Sequence, residues 1–324
     1  MGGKKLIYPL DIFYFNKFIY SAFFPKNMYD LIIIGAGSAG LASAIYAARY
    51  KLKTLVTSKD IGGTVLEAYK VENYPGFKTI SGIDLMNKFK EQTKELGVKI
   101  IEDEVVDIKK SNNFKLNTKQ KSFESKAIVI ATGSKRRKLD VPGNNEFEGK
   151  GVSYCATCDG PLFKDKIVGV VGGSDSAARA ALLLAEYAKK VYIIYRKEKL
   201  RAEPLLVEHI NKNKKIEIIN NTNITEIKGD KIISSVIFDS GKEFKLEGLF
   251  MEIGALPNNE IAKKLGVNLD EQGYIIVDKA QKTNVDGVYA AGDITNASNK
   301  FEQITTAVAE GTIAANSVYN FLKK

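Results

Sequence analysis

Cys155 and Cys158 are the whole thiol complement of this 324-residue chain, and two residues separate them. That spacing suits a disulfide that opens and closes in place, the chemistry of thiol–disulfide exchange. A zinc half-site shares the spacing but needs a second pair, and the chain has none; no metal site is expected. Asp159 and Gly160, next in sequence, suggest a turn or helix start, where a thiolate can be stabilised. The single histidine, His209, lies in a lysine-rich helical stretch. Mechanisms built on Ser–His or Cys–His pairs would all have to use it, which nearly excludes them.

Two glycine turns could each cradle a phosphate. Gly35-Ala36-Gly37-Ser38-Ala39-Gly40 follows an apolar run, Asp30–Ile34, and precedes an alanine-rich stretch, Leu41–Arg49, with Lys53–Thr57 as the next strand. The order is strand, turn, helix, strand. Gly35 permits the tight turn, Gly37 lets backbone approach a pyrophosphate, and Gly40 lets helix and strand pack closely. The helix N-terminus supplies partial positive charge. The acidic ribose reader expected about 20 residues on is missing: Thr57, Ser58 and Lys59 end the strand, and Asp60 is displaced.

The pattern recurs 137 residues later, with a strand over Lys166–Val171 and the turn Gly172-Gly173-Ser174-Asp175-Ser176-Ala177. A helix over Ala178–Lys190 and a strand over Val191–Tyr195 follow. Ser174 replaces the central glycine, although its hydroxyl could itself bond phosphate. No carboxylate ends the strand; Arg196, Lys197 and Arg201 come instead. A 2′-phosphate adds about two negative charges and suits forked donors, so this cluster favours NADPH over NADH.

These sites must be carried by two Rossmann-like, doubly wound α/β domains, each able to hold one dinucleotide. The length suits about two domains of roughly 150 residues. Apolar residues make up 44% and charged ones 27%, an ordinary globular balance. No charge-free run is long enough for a membrane-spanning helix. The net charge of +10 is nearly all lysine, with six arginines and no basic stripe interleaved with aromatics, so nucleic-acid binding is not expected. Asn223–Phe250 reads as a small β-meander, Gly287–Ala291 as a strand and Thr305–Leu322 as a long helix. Residues 1–28 hold eight aromatics and fit neither a signal peptide nor a myristoylation site. They read as a mis-assigned start, with translation beginning at Met28, or as a dispensable extension; a peripheral membrane or partner-docking aromatic segment is the other reading.

Over nearly all of residues 29–324 the chain resembles the low-molecular-weight thioredoxin reductases of bacteria and archaea, FAD-dependent pyridine nucleotide–disulfide oxidoreductases. Cys155-Ala156-Thr157-Cys158-Asp159-Gly160 reproduces their redox motif. Gly62-Gly63 and Glu72-Asn73-Tyr74-Pro75-Gly76-Phe77 resemble flavin-contacting loops, and Ala131-Thr132-Gly133 resembles the return strand near the first interdomain hinge. Gly254-Ala255-Leu256-Pro257-Asn258 corresponds to the second hinge. Ala290-Ala291-Gly292-Asp293 resembles the segment whose aspartate meets the flavin ribityl chain, and Gln303-Ile304 the segment beside the isoalloxazine.

The resemblance implies a discontinuous FAD domain, 29–135 and 255–324, with an inserted NADPH domain, 136–254, carrying the cysteines. FAD would be held by Gly35, Gly37, Ser38, Ala39, Gly40, Gly62, Gly63, Asn73, Ala131, Thr132, Gly133, Gly292, Asp293, Gln303 and Ile304. NADPH would be held by Gly172, Gly173, Ser174, Asp175, Ser176, Ala177, Arg196, Lys197 and Arg201. It further implies NADPH-dependent reduction of thioredoxin or a thioredoxin-like protein. Cys158 would face the flavin, Cys155 would attack the partner disulfide and Asp159 would donate the proton. The family also implies a cytoplasmic homodimer whose domains rotate between half-reactions. Departures at Ser174, Tyr195 (usually histidine), Lys197 and Arg179-Ala180 all fall on the NADPH side. They leave open a related dithiol oxidase or a reductase with a different electron donor.

Overall fold

The computed structural model describes residues 28–68 and 70–323; apart from Met28, the aromatic extension lies outside them. Two compact units divide the chain at 61/62, 90/91, 132/133 and 258/259. Among the described residues the first holds 28–61, Glu91–Thr132 and 259–323; the second holds Gly62–Lys90 and Gly133–Asn258. The expected domain bounds were 135/136 and 254/255. The segment 62–90 clusters with the second unit, whereas the sequence reading kept it with the first.

In the first unit, β1 (Met28–Ala36) leads into α1 (Ser38–Arg49) and β2 (Thr54–Ile61). β3 (Lys99–Glu102), β4 (Val105–Lys110), β5 (Phe114–Thr118) and β6 (Ser122–Ile130) follow. The sheet order is β3-β2-β1-β6-β5-β4, and a late strand, Val288–Ala290, pairs with the C-terminal end of β6. β1 is parallel to both neighbours, with Ile32 opposite Leu55 on one side and Ile128 on the other. A central parallel strand is covered on both faces, which is why it is apolar without alternation. Ile32, Leu55, Ile128, Ile130 and Val288 are all fully buried in one core. The antiparallel excursion β4–β5–β6 is a meander the sequence reading did not place.

The second unit carries β7 (Ser134–Arg136), β8 (Val152–Ser153), the one-turn helix α2 (Ala156–Asp159) and β9 (Ile167–Val171). Next come α3 (Asp175–Tyr187), β10 (Lys190–Ile194), β11 (Ile216–Ile219), β12 (Ile224–Gly229), β13 (Ile233–Phe238) and β14 (Glu243–Lys245). β15 (Gly248–Met251) and β16 (Ala255–Pro257) complete it. β11-β10-β9-β15-β8 form a parallel sheet, and β12-β13-β14 an antiparallel one. The expected meander over 223–250 therefore ends at Lys245. Gly248–Met251 is instead a parallel strand, buried at all four residues as such a strand must be. Next to the two crossings, β7 and β16 pair antiparallel. Arg136 on β7 donates to Glu252 at 2.7 Å and also bonds Glu67. Two acidic partners satisfy a guanidinium that burial would otherwise penalise.

Candidate active site

α3 begins at Asp175, three residues before the expected start, because Ser174 already serves as its N-cap in extended conformation. Cys155 likewise is the N-cap of α2. The two cysteines are joined, with Cα atoms 5.3 Å apart. The Cys158 N–H donates to Cys155 Sγ at 3.1 Å. Ser153, at the end of β8, ties the loop together: its hydroxyl accepts from the Cys155 N–H at 3.0 Å and donates to Asp159 Oδ2 at 2.7 Å. The Asp159 N–H closes the turn onto the Cys155 carbonyl at 3.1 Å. Behind it, the Phe163 ring meets Phe250 of β15 edge-on at 5.1 Å, anchoring the redox turn in the core. Ser153 was not singled out in the sequence; a lone serine two residues before a cysteine carries no signal.

In the first unit the glycine turn, Ala131 and Gly292 converge. An ideal Cβ at Gly35, whose φ is +113°, would lie 2.0 Å from the Ala131 carbonyl oxygen. One at Gly40 would lie 1.9 Å from the Gly35 oxygen, and one at Gly292 2.9 Å from the Ala39 Cβ. One at Gly37 would meet nothing within 4 Å among the described residues. Gly35 and Gly40 thus serve the fold, while the open side of Gly37, at the start of α1, leaves room for a pyrophosphate to reach backbone N–H groups. Thr57 and Ser58 donate to the Asp103 and Asp60 carbonyls, and β2 runs on to Ile61, so Asp60 lies within the strand rather than beyond its expected end at Lys59. Gln303 caps the C-terminal helix, Ile304–Leu322. Gly62, Gly63, Asn73 and Gly133 belong to the second unit.

Glu310 on that C-terminal helix, also unread in the sequence, is buried. It accepts from the Gly292 N–H (2.8 Å), Thr295 Oγ1 (3.1 Å) and Ser298 Oγ (2.6 Å), fixing the turn that presents Asp293. Burial, with Glu302 and then Glu310 nearby, pushes the Asp293 carboxyl from its ordinary 3.8 up to about 7. In flavin-free protein the folded state therefore holds a proton that the unfolded chain releases near pH 4. Asp293 then contributes stability that is complete below about pH 4 and lost as pH rises through about 7. Denaturant unfolding of the flavin-free protein should show that loss, on the order of a few kcal/mol, and Asp293→Asn should flatten it. An unchanged slope in the variant would refute this.

The second turn borders a cleft of about 310 Å³ lined by Gly172, Gly173, Ser174, Tyr195, Arg196 and Arg201, with Arg137 and Lys138 beside them. Asp175, Ser176, Ala177 and Lys197 do not line it. Asp175 instead accepts from the Glu203 N–H at 2.8 Å, and Ala177 is fully buried. Arg137 and Lys138 were missed, yet the run Lys135-Arg136-Arg137-Lys138 was readable as a second basic cluster.

A mixed sheet with a parallel core in the first unit and a parallel sheet in the second, each with a glycine turn opening onto a helix, and a disulfide in the second unit define a dinucleotide-dependent disulfide oxidoreductase. The model of the pyridine nucleotide-disulphide oxidoreductase family matches residues 29–311, and the chain belongs to that family. Within it, the chain stands with the thioredoxin reductases. It is 40% identical to the thioredoxin reductase of Peptoclostridium acidaminophilum, over 92% of this chain and 98% of that one. It is 38% identical to that of Bacillus subtilis, over 92% and 96%. The solved thioredoxin reductase of Lactococcus lactis superposes with a TM-score of 0.88 at 40% identity, covering 91% of this chain and 99% of that one. That of T. acidophilum gives 0.88 at 40%, covering 92% and 100%. FAD and NADPH are the cofactors of this family. The open face of Gly37 and the cation-lined cleft at Gly172 fit a pyrophosphate and a phosphorylated dinucleotide respectively.

Proposed function

We propose that the protein is a thioredoxin-disulfide reductase that passes electrons from NADPH through FAD to the Cys155–Cys158 disulfide and on to thioredoxin or a thioredoxin-like protein. Bound FAD supplies the two-electron relay. Within the first unit the Gly35–Gly40 turn, Thr132, the Gly292–Asp293 turn and the Gln303–Ile304 segment would hold it. Gly172, Gly173, Ser174, Arg196 and Arg201 would hold NADPH, with Arg137 and Lys138 adding charge.

Two electrons and two protons convert the disulfide to two thiols. The Cys155 sulfur, as thiolate, then bonds to one sulfur of the partner disulfide. The partner's other sulfur departs and takes a proton through the Asp159 carboxyl, which the Ser153 hydroxyl holds in place. Cys158 next attacks Cys155 in the mixed disulfide, releasing the partner dithiol and restoring the Cys155–Cys158 bond.

The observation that carries this reading is the Cys158 N–H aimed at Cys155 Sγ, a donor that stabilises a thiolate there. Exposure alone would favour Cys158, which is exposed where Cys155 is half-buried. The backbone donor supports Cys155. We place the enzyme in the cytoplasm, where NADPH is supplied, as a homodimer in keeping with its resemblance.

The test is anaerobic titration of the FAD-loaded protein with NADPH. Flavin absorbance should bleach at stoichiometric NADPH and recover when oxidised thioredoxin is added. No bleaching would overturn NADPH as donor and favour a reductase fed by another donor, the reading that Ser174 and Tyr195 leave standing.

A further inference from the structure

The geometry points to Tyr195 as the residue that selects the phosphorylated dinucleotide, its phenolic hydroxyl donating to the 2′-phosphate of NADPH; the inference rests on the NADPH reading above. Tyr195 directly follows β10, at the strand end where sites for the unphosphorylated dinucleotide carry an acid that holds the ribose hydroxyls. An acid there would repel a phosphate, whereas a neutral phenol can donate to one.

The side chain is turned inward, with 5% of its surface exposed, and it borders the cleft. Its ring lies so close to Gly173 that a Cβ there would sit 2.5 Å from three ring atoms. The phenol therefore lies against the phosphate-binding turn, and only glycine at 173 admits it. Its backbone is pinned on both sides: the Tyr195 N–H donates to the Ile219 carbonyl at 2.9 Å, and its own carbonyl accepts from the Thr222 N–H at 3.1 Å.

Within this fixed frame the hydroxyl is buried and has no hydrogen-bond partner among the described residues. Buried polar groups in native folds are nearly always satisfied, and an exception calls for a reason. The reason here is an acceptor that arrives with the ligand. Arg196 and Arg201 line the same cleft, and the Arg201 N–H donates to the Gly173 carbonyl at 2.6 Å, drawing the cationic loop onto the same turn. An acceptor carrying about two negative charges gains more from the phenol than a ribose hydroxyl does, because hydrogen bonds to charged groups are roughly twice as strong. Tyr195 thereby separates the two nicotinamide dinucleotides.

The experiment uses the FAD-loaded enzyme, Tyr195→Phe, and two probes that differ only in the 2′-phosphate: 2′,5′-ADP and 5′-AMP, titrated calorimetrically. The variant should bind 2′,5′-ADP about tenfold more weakly, a loss of about 1.4 kcal/mol, with 5′-AMP unchanged. The NADPH-to-NADH ratio of kcat/KM should fall by a similar factor. Because the substitution removes an unsatisfied buried hydroxyl, the variant free of nicotinamide nucleotide should melt higher than the parent. Equal affinities of variant and parent for 2′,5′-ADP, or equal losses for both probes, would overturn the assignment. So would a lower melting point, since it would reveal a partner for the hydroxyl within the fold. Failure of the parent itself to bind 2′,5′-ADP would instead overturn the NADPH reading, and this assignment with it.

Discussion

Cys155→Ser should abolish thioredoxin reduction, lowering kcat by roughly 10³-fold or more, the scale of loss on removing a catalytic nucleophile. The serine hydroxyl cannot form a disulfide with the partner, and the Cys158 N–H then has no thiolate to stabilise. The same variant should still pass electrons from NADPH to ferricyanide. On the proposed reading that route uses the Gly35–Gly40 and Gly172–Ser174 turns, which the substitution does not touch. Cys158→Ser should behave differently. Cys155 can still attack a disulfide, but nothing resolves the product, so a one-to-one covalent adduct with oxidised thioredoxin should appear on a non-reducing gel. If Cys155→Ser traps the adduct and Cys158→Ser does not, the roles are reversed and the exposed cysteine is the attacking one.

What the sequence made legible has a physical pattern. The Cys155–Cys158 pair and the Gly35–Gly40 turn were readable because their chemistry depends on residues adjacent in the chain. The apolar runs of β1 and β9 were readable because a central parallel strand is covered on both faces. β15 was misread as meander because four buried residues after an antiparallel hairpin give no local sign of which sheet they join. Asp175 looked like part of the phosphate turn, yet its carboxylate accepts from the Glu203 N–H, 28 residues on. Glu310 was invisible for the same reason. It acts on Gly292, 18 residues away, through a contact that only the folded C-terminal helix creates. Tyr195 stood out as a departure, but only the contact with Gly173 shows which way its ring turns.

Gly35→Ala and Gly37→Ala should separate the glycine that the fold requires from the one that the cofactor requires. At Gly35 the added methyl would lie 2.0 Å from the Ala131 oxygen and 2.5 Å from its carbonyl carbon, at a φ of +113° that alanine rarely adopts. No flexible side chain can yield there. The obstacle is backbone just past β6, and the Ala131 N–H is itself bonded to the Ile34 carbonyl at 2.8 Å. Relief requires prising β1 from its neighbour, so the loss should exceed about 4 kcal/mol, in the range reserved for gross steric failure. The variant should be insoluble, or colourless and cooperatively unfolded at room temperature. At Gly37 the methyl would meet no atom of the described residues within 4 Å, and its φ of −80° and ψ of −167° suit alanine, so flavin-free stability should change by less than about 1 kcal/mol. The methyl would nevertheless occupy the side from which a pyrophosphate reaches the backbone. FAD affinity should therefore fall about 100-fold, close to 2.7 kcal/mol, measured by flavin fluorescence on reconstitution. A Gly37→Ala protein that holds FAD as tightly as the parent would remove that turn from the cofactor site, and a soluble yellow Gly35→Ala protein would show that β1 and β6 can part at little cost.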